Sequence, residues 1–280
     1  MTHSETIARD HYQAAIADAD ALLAQLAAAL DGLDGPITAE RLAGFDQFHF
    51  GGLAATSRLA GQLGITAGMQ VLDAGAGLGG PSRYLAETTG CHVVGVDLAP
   101  TYVRIAELLA KRAGLADRVS YRAGSITALP FADASFDLVW TQHVVMNIPD
   151  RDALYRELRR VLRAGGRLAF HDPIAADGGE APHYPTPWAE TADDSTLLTK
   201  DATLAALRQA GFILHAWDDV TEAAKDWIAL QRQQQAPASR RLGLTPGLVV
   251  GARMQPMVAN FVRNILEGRV QLAMGICEAV

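Results

Sequence analysis

Hydrophobic and polar positions alternate in a regular way through the middle of the chain. Short apolar runs predict five buried strands, at 69–75, 91–98, 119–125, 136–142 and 167–172. Amphipathic segments predict the intervening helices, at 81–88, 101–114 and 151–163. The last of these helices is expected to end at Gly165 and Gly166. This alternation predicts an α/β fold, a doubly wound parallel sheet with helices on both faces.

The pattern is different on either side of this region. Two helical patterns come before this region, at 1–35 and 52–64. After it come a predicted helix at 201–210 and two predicted strands at 211–219 and 269–280. A polar helical stretch containing QRQQQAPASRR interrupts the second part. We therefore predict a helical cover segment at 1–52 and one α/β domain at 53–280. The domain is expected to carry inserts at about 173–199 and 221–266.

Composition and charge narrow the range of partners. With 49% hydrophobic residues, the 280-residue chain has enough apolar material for a packed core. Its net charge of -7 argues against nucleic acid, because proteins that bind nucleic acid present clustered Lys and Arg. The sequence shows neither a secretory leader nor an apolar run long enough to cross a membrane, so we expect no membrane partner and a cytoplasmic location.

Cysteines and histidines do not form a recognisable site. Cys91 and Cys277 lie far apart in apolar segments and are expected to be buried thiols. The histidines are scattered, with no pair at the spacing of helical metal ligands, and we predict no bound metal.

The glycine-rich segment VLDAGAGLGG, residues 71–80, carries the strongest chemical signal. Gly75, Gly77 and Gly80 have the G-x-G-x-x-G spacing of a turn that presents backbone N–H groups at a helix start. A carboxylate from Asp73 would repel the pyrophosphate of NAD in such a turn. S-adenosylmethionine carries an ammonium group beside a carboxylate, so Asp73 can bind the first while the turn binds the second. The alternative is that Asp73 only caps the next helix.

A second acid follows the second predicted strand. Asp97 lies 22 residues after Gly75, where an acidic side chain binds the hydroxyls of a ribose. NAD and S-adenosylmethionine both contain that ribose. Asp97 therefore predicts a nucleoside ligand, and Asp73 favours S-adenosylmethionine.

Four segments together resemble class I S-adenosylmethionine-dependent methyltransferases. They are VLDAGAGLGG, GVDLAP, ALPFADASFDLVW and ELRRVLRAGGRLAF, within residues 68–171. The resemblance implies a Rossmann-like sheet of seven strands with the last strand antiparallel. DQFHFGGLAAT, WTQHVVMNIPD, PHYPTPWAE and NFVRNILEGRVQL further resemble the sarcosine/dimethylglycine N-methyltransferase-like group, which is related to tocopherol and phosphoethanolamine methyltransferases.

The resemblance also implies a set of cofactor contacts. Similar enzymes have an acid after the third strand that contacts the adenine amino group, and this chain has Ser125 there, whose hydroxyl can still accept that hydrogen bond. A segment near Gln47 and His49 is expected to fold over the cofactor. The predicted cofactor-binding residues are Asp73, Gly75, Gly77, Asp97, Leu98, Ser125, Ile126, Gln142 and Gln47.

Polar residues after the fourth and fifth strands are candidates for the chemistry. His143 and Asn147 are predicted to serve the methyl acceptor, as a possible base and a positioning amide, on one face of a helical stretch. The alternative is that both only cap local backbone. The other predicted substrate-side residues are His49, Met146, His171, Tyr184, Trp188 and Asn260, for which structural roles in loops or helix faces stay open.

These features together predict an enzyme. We expect methyl transfer from S-adenosylmethionine, with S-adenosylhomocysteine as product, to a small molecule through an amine nitrogen that is glycine-derived or related. The alternatives are O- or C-methylation of a small aromatic or quinone-type metabolite, an NAD-dependent oxidoreductase, and a nucleoside-binding regulator without turnover.

Overall fold

The computed structural model describes residues 2–233 and 244–280, of which 231–233 are described by their backbone alone. The strands are β1 (Gln70–Ala74), β2 (His92–Asp97), β3 (Val119–Ala123), β4 (Phe136–Gln142), β5 (Leu162–Ala175), β6 (Phe212–Asp219) and β7 (Val270–Ala279). The helices are α1 (His3–Gln13), α2 (Ala19–Asp31), α3 (Ala39–Asp46), α4 (Gly52–Gly61), α5 (Gly80–Thr89), α6 (Pro100–Arg112), α7 (Arg151–Val161), α8 (Lys200–Gln209), α9 (Thr221–Gln233), α10 (Gly247–Val250) and α11 (Met254–Leu266).

The strands form one seven-stranded sheet in the order β3-β2-β1-β4-β5-β7-β6. Neighbouring strands pair in parallel from β3 to β5, whereas β7 runs antiparallel to both β5 and β6. The order reverses at β1 and β4, where successive connections leave on opposite sides of the sheet. The predicted doubly wound sheet with an antiparallel last strand is confirmed.

Both faces of the sheet are buried, as the continuous apolar runs predict. Val71 and Leu72 are neighbours in β1, so their side chains point to opposite faces, and each is fully buried in a different apolar cluster. One cluster includes Leu85 of α5 and Phe261 of α11, and the other includes Leu158 of α7. The sheet is therefore the central layer, and its strand ends are fixed by packing on both sides.

The N-terminal helices pack against the outside of α6. A third cluster joins Leu26 of α2 and Phe45 of α3 to Ile105 of α6. Asp46 and Arg83 are both buried and form an ion pair at 2.6 Å that joins α3 to α5. These contacts hold the end of α3 beside the glycine turn, and the assignment of 1–52 as a separate cover segment stays a prediction.

One predicted boundary is wrong. Helix α7 ends at Val161 and β5 begins at the next residue, so Gly165 and Gly166 lie inside β5 and do not end the helix. The pairing of β5 with β4 shifts register between Phe136 and Leu138, opposite these glycines. Gly165 has a left-handed φ of 73°, which suits an irregular point in a strand. The pairing of Leu162 with Phe136 starts β5 before the two glycines, so the glycines form an irregular part of the strand.

The remaining predictions concern the polar stretch, the two cysteines, membrane spans and metal sites. Most of the polar stretch QRQQQAPASRR lies outside the described residues. Cys91 and Cys277 are buried free thiols, as predicted. Within the described ranges, no helix is both long and apolar enough to span a membrane, and no group of His, Cys, Asp and Glu side chains has the arrangement of a metal site.

Candidate active site

The glycine turn after β1 is held by the end of β2. The backbone N–H groups of Gly75 and Ala76 donate to the Val96 carbonyl at 2.8 and 3.0 Å, and the Gly77 N–H donates to Asp97 Oδ2 at 2.7 Å. Gly75 has a φ of 86°, and a Cβ there would lie 2.3 Å from a methyl carbon of Val144. A side chain at this position is excluded both by backbone strain and by the close approach of the chain after β4.

Asp73 is a buried acid at the carboxyl end of β1. It is 2% exposed, and Ser82 Oγ in the first turn of α5 donates to Asp73 Oδ2 at 2.5 Å. Burial, with the negative charge of Asp97 adding to it, raises the pKa of Asp73 to about 7 against the hydrogen bonds from Ser82. A buried carboxyl group of this kind becomes a stable anion when a cation lies beside it. The role of Asp73 as the partner of a cationic group stays a prediction.

Asp97 completes the acidic pair at the next strand end. Its carboxylate accepts hydrogen bonds from Gly77 N–H on Oδ2 and from Ala99 N–H on Oδ1, the second at 2.9 Å. Because an ionised carboxylate has about four acceptor positions, roughly two remain for a ligand. The predicted neighbours Leu98 and Ile126 lie in the loops after β2 and β3, and their roles stay predictions.

A buried polar network approaches the start of α5 from the other side. Gln47 Oε1 accepts from His49 Nε2 at 2.8 Å and lies 2.9 Å from Thr56 Oγ1, while Gln142 Oε1 accepts from Trp140 Nε1 at 2.9 Å. The other end of Gln47 is different, because its buried Nε2 has no partner among the described residues. A Cβ on Gly80 would come within 2.9 Å of that nitrogen. Gln47 thus presents a free donor at the helix start.

Three predicted histidines form a compact group that we term the histidine cluster: His49, His143 and His171. The ring centroids lie 5.9 Å apart for His49 and His143, 5.8 Å for His49 and His171, and 4.9 Å for His143 and His171. Burial is the main cause that lowers the pKa of each ring, to about 4 for His49 and well below the usual value for the other two. The cluster is therefore neutral at physiological pH.

His143 has features typical of a functional position. Its backbone has a φ of 53°, in the left-handed region that few residues other than glycine adopt. The His143 N–H donates to the His171 carbonyl at 2.8 Å, and its buried Nε2 has no partner in the described part of the chain. The ring of Phe261 lies 5.8 Å away, centroid to centroid. A neutral imidazole with a free nitrogen can accept a proton here.

The predicted helical face that joins His143 to Asn147 is not formed. The chain makes only a short 3-10 turn, Val145–Asn147, and His143 lies before it. Asp172 Oδ1 accepts from Val144 N–H at 2.9 Å and from Val145 N–H at 3.4 Å, which satisfies the first N–H groups of this turn. Asn147 Nδ2 instead donates to Tyr12 Oη of α1 at 3.2 Å.

The remaining substrate-side candidates fall into two groups. Met146 and Trp188 are each 2% exposed, and the ring of Trp188 meets that of Phe261 edge to face at 4.8 Å. Tyr184 lies in the loop after β5, and Asn260 of α11 holds that loop, because its Nδ2 donates to the Pro185 carbonyl at 3.0 Å. The first group packs beside the histidine cluster, whereas the second holds a loop in place.

A surface cavity of about 390 Å³ opens next to Asn147. It is lined on one side by α1, through residues such as His11, and on the other by Trp188, Glu190 and Arg253. Neither acid of the strand ends nor any member of the histidine cluster lines it. The cavity therefore lies outside the candidate site and borders it only through Asn147 and Trp188.

Sequence reasoning missed the contributions of α1. Glu5 and Tyr12 reach the loops after β3 and β4, more than 100 residues away in sequence. Ser125 Oγ donates to Glu5 Oε1, and Thr127 Oγ1 donates to the same oxygen at 3.0 Å. The capping-box spacing of Thr2 and Glu5 was a signal for a helix start, but it carries no information on what the helix contacts.

Comparison with known proteins supports a methyltransferase domain in the middle of the chain. Residues 72–170 match the family described as "Methyltransferase domain". The chain is 39% identical over 121 residues to the sarcosine/dimethylglycine N-methyltransferase of Halorhodospira halochloris, which covers 43% of each chain. It is 33% identical over 177 residues to the 27-O-demethylrifamycin SV methyltransferase of Amycolatopsis mediterranei, over 60% of this chain and 62% of that one. The chain thus spans less than two thirds of the length of these relatives.

A solved structure supports the fold over a longer range. The geranyl diphosphate C-methyltransferase of Streptomyces coelicolor A3(2), solved with Mg²⁺, geranyl diphosphate and S-adenosyl-L-homocysteine, superposes with a TM-score of 0.72. The match covers 100% of this chain and 98% of that one at 18% identity. The resemblance to class I methyltransferases is confirmed, and the similar proteins named here methylate nitrogen, oxygen and carbon.

Proposed function

We propose that this chain, whose core is a class I methyltransferase domain, transfers a methyl group from S-adenosylmethionine to a small-molecule acceptor. The observation that carries the proposal is Asp73, a buried acid at the end of β1 beside the glycine turn. The ammonium group of the cofactor is the cation that such an acid requires. A dinucleotide would instead bring its pyrophosphate towards Asp73, which disfavours an oxidoreductase.

The residues around Asp73 fit the rest of the cofactor. Gln47 Nε2, which has no protein partner among the described residues, and the Gly80 N–H at the start of α5 can bind the cofactor carboxylate. Asp97 has acceptor positions for the ribose hydroxyls. Gly75 opens the glycine turn, and Gln142 Oε1 lies 3.2 Å from Thr56 Oγ1, which also donates to Gln47. Ser125 follows β3. When bound, S-adenosylmethionine supplies an electrophilic methyl group on a positively charged sulfur.

The acceptor is proposed to lie against the histidine cluster. His143 offers a free nitrogen, and Met146, Trp188 and Phe261 provide an apolar surround that excludes water. An amine acceptor is protonated at neutral pH, so His143 would accept a proton before the nitrogen lone pair is free. Holding that nitrogen in line with the methyl group is then the main task of the site.

A hydroxyl acceptor is the second candidate. The same neutral imidazole that frees an amine can remove a proton from a phenol, which makes the histidine cluster compatible with O-methylation. The two candidates differ in how the rate depends on acceptor pKa. Rates for a series of substituted phenols that rise with acidity support oxygen, whereas turnover confined to secondary and tertiary amines supports nitrogen.

The test begins with the cofactor and continues with the acceptor. Isothermal titration calorimetry with S-adenosylhomocysteine and with NAD should give binding for the first ligand only. A screen of small amines, phenols and quinones, followed by release of S-adenosylhomocysteine, should then give turnover. Tight S-adenosylhomocysteine binding without turnover on any acceptor favours the non-catalytic regulator. Binding of NAD in place of S-adenosylhomocysteine contradicts the proposal.

A further inference from the structure

Three consecutive backbone N–H groups follow β4, and all of them donate to β5. The His143 N–H donates to the His171 carbonyl at 2.8 Å. The N–H groups of Val144 and Val145 both donate to Asp172 Oδ1, at 2.9 and 3.4 Å. His143 has a left-handed φ of 53°, and Val144 is right-handed. Two such residues in succession form a nest, a concave set of N–H groups that binds an anion. We term residues 143–145 the His143 nest.

The left-handed backbone of His143 depends on the groups around it. A residue with a side chain keeps this conformation only where its surroundings fix it. The Asp172 carboxylate is the anion in the His143 nest and receives two of its three N–H groups. Without that acceptor both N–H groups would lose their partner, and the backbone could return to the ordinary right-handed conformation. The direction of the His143 ring therefore depends on Asp172.

Asp172 itself lies away from the reacting groups. Neighbouring residues of a strand point to opposite faces of the sheet, so Asp172 points away from the histidine cluster, which contains His171. Burial, with the charge of Asp172 adding to it, raises the pKa of Tyr155 of α7, whose ring belongs to the apolar cluster on the other face. An effect of Asp172 on the reaction therefore passes through the His143 nest.

Arg151 holds the other end of the segment that begins with His143. Its Nη1 and Nη2 donate to the carbonyls of Ile148 and Thr196, both at 2.5 Å. The segment is therefore fixed by Asp172 at its start and by Arg151 at its end. A change at Asp172 frees only the end that carries His143.

The stability of the fold does not account for a carboxylate at this position. Asp172 is 1% exposed, and its Oδ2 has no partner among the described residues. Burial raises the pKa of Asp172 to about 6, although the N–H groups of the His143 nest and the charge of Arg151 lower it. At neutral pH the ionised group therefore destabilises the folded protein relative to a neutral side chain of the same shape. Such a group is more typical of a functional site.

We propose that Asp172 is a positioning residue for methyl transfer, which accepts the N–H groups of the His143 nest and so directs the free nitrogen of His143 towards the acceptor. The inference rests on the proposed function. Asp172 takes no proton from the acceptor and acts only through His143. An oxygen in the same place is sufficient for this role, so asparagine should replace Asp172 and leucine should not.

The first test compares Asp172→Asn with Asp172→Leu. Both side chains are neutral and similar in size to aspartate, and only the first keeps an oxygen that can accept. With an acceptor from the screen above, Asp172→Leu should lower kcat at least about tenfold, because a displacement of about 1 Å can cost about a hundredfold. Asp172→Asn should stay within about threefold of the wild type, and S-adenosylhomocysteine affinity should change only a few-fold in both variants. If Asp172→Leu does not fold, Asp172→Ala takes its place with the same expectation.

A double-mutant cycle shows whether Asp172 acts through His143. In the His143→Asn background, Asp172→Leu should lower kcat by no more than about twofold further, because the group that it positions is already absent. Asp137→Leu is the matched control. Asp137 accepts from the Gln70 N–H of the neighbouring strand at 2.8 Å, at the opposite end of the sheet. This variant removes the same type of hydrogen bond and should leave kcat unchanged.

Nuclear magnetic resonance gives a second measurement that does not require turnover. In protein that contains isotope-labelled histidine, the Cε1–Hε1 signal that disappears in His143→Asn belongs to His143. This signal should shift in Asp172→Leu and stay near its wild-type position in Asp172→Asn.

The possible failures are distinguishable. The inference alone is wrong if Asp172→Leu keeps the wild-type kcat, if it lowers kcat equally with and without His143, or if Asp172→Asn loses as much as Asp172→Leu. A His143 signal that does not move in Asp172→Leu also contradicts it, while the proposed function stands. If the wild-type protein turns over no acceptor, the proposed function fails and the inference fails with it.

Discussion

The two sides of the candidate site differ in charge. The side formed by the ends of β1 and β2 contains two carboxylates, Asp73 and Asp97, beside the positive end of the α5 dipole. The side formed by the ends of β4 and β5 contains the histidine cluster, and burial keeps its three rings neutral. One side is thus suited to a ligand whose charges have fixed positions, and the other to a reacting group that must lose a proton.

The two sides also differ in how the chain builds them. The first comes largely from one continuous segment, in which β1, the glycine turn and α5 follow directly, and Asp97 lies one strand later. The second combines His49 from the start of the chain, His143 and His171 from two strand ends, and Phe261 from α11. A site built from one segment can be recognised in the sequence, whereas a site built from four segments depends on the fold.

The largest expected effect concerns the acceptor side. Replacing His143 should lower kcat by about a hundredfold or more, because general base catalysis contributes about that much, while S-adenosylhomocysteine affinity changes only a few-fold. His143→Asn is the preferred variant, since asparagine adopts the left-handed backbone of this position at a lower cost than alanine. Steady-state kinetics and calorimetry on the same preparation measure both quantities.

The pH profile assigns the role of His143. The pKa of His143 lies below 6.5, so the acidic limb of the wild-type profile should lie below pH 6.5 and vanish in His143→Asn. Persistence of that limb in the variant would show that His143 positions the acceptor without taking its proton. His215→Asn, which alters an exposed histidine on β6, is the matched control and should leave the profile unchanged.

The next effect concerns the cofactor side. Asp73→Asn removes the charged partner of the ammonium group and should weaken S-adenosylhomocysteine binding about tenfold to a hundredfold, since a hydrogen bond to a charged group contributes roughly 1.5–3 kcal/mol. Calorimetry measures the change, and Asp201→Asn, at an exposed helix start, serves as control. Unchanged affinity in a folded Asp73→Asn protein would remove the basis of the cofactor assignment.

The ligand-free protein should respond to Asp73→Asn in the opposite direction. Burial raises the pKa of Asp73 to about 7 from 3.8, so the folded state is destabilised as pH rises between these values, and the penalty is absent at lower pH. Asp73→Asn should therefore melt at a higher temperature than the wild type at pH 8. The difference should disappear towards pH 4, as measured by thermal unfolding.

A smaller effect is expected at the ribose position. Asp97→Asn should weaken S-adenosylhomocysteine about tenfold, because the amide loses the charge that the ribose hydroxyls and the Gly77 N–H contact. An analogue without the ribose 2′-hydroxyl should bind the wild type less tightly but should lose little further in the variant. Asp219→Asn is a close control, because Asp219 ends β6 and accepts from Thr221 N–H at 2.9 Å just as Asp97 accepts from Ala99. Equal losses for both ligands would place Asp97 outside the ribose site.

Features that depend on local sequence could be predicted, whereas features that depend on contacts between distant residues could not. The strands around Asp73 and Asp97 follow from continuous apolar runs, and the glycine turn follows from local backbone demands. The helical face predicted for His143 and Asn147 failed because His143 has a left-handed φ of 53°, which a right-handed helix does not accept, and a 3-10 turn begins only at Val145. The Glu5 contact with Ser125 depends on how α1 packs, which no local pattern encodes.

The smallest expected effect concerns Asn147. Its Nδ2 donates to Tyr12 Oη of α1, and the residue also follows the strand end that carries His143. If Asn147 serves the acceptor, Asn147→Ala should lower kcat about two- to tenfold, the range of one neutral hydrogen bond, and leave S-adenosylhomocysteine affinity unchanged. Tyr12→Phe removes the same hydrogen bond from the other end and is the matched comparison. Asn147 Nδ2 also donates to the Val144 carbonyl at 3.1 Å, so a loss of kcat that appears in Asn147→Ala but not in Tyr12→Phe places the amide against the acceptor only when the melting temperatures of the two variants are equal. Equal losses in both single variants, with no further loss in the double variant, show that Asn147 acts only by holding α1.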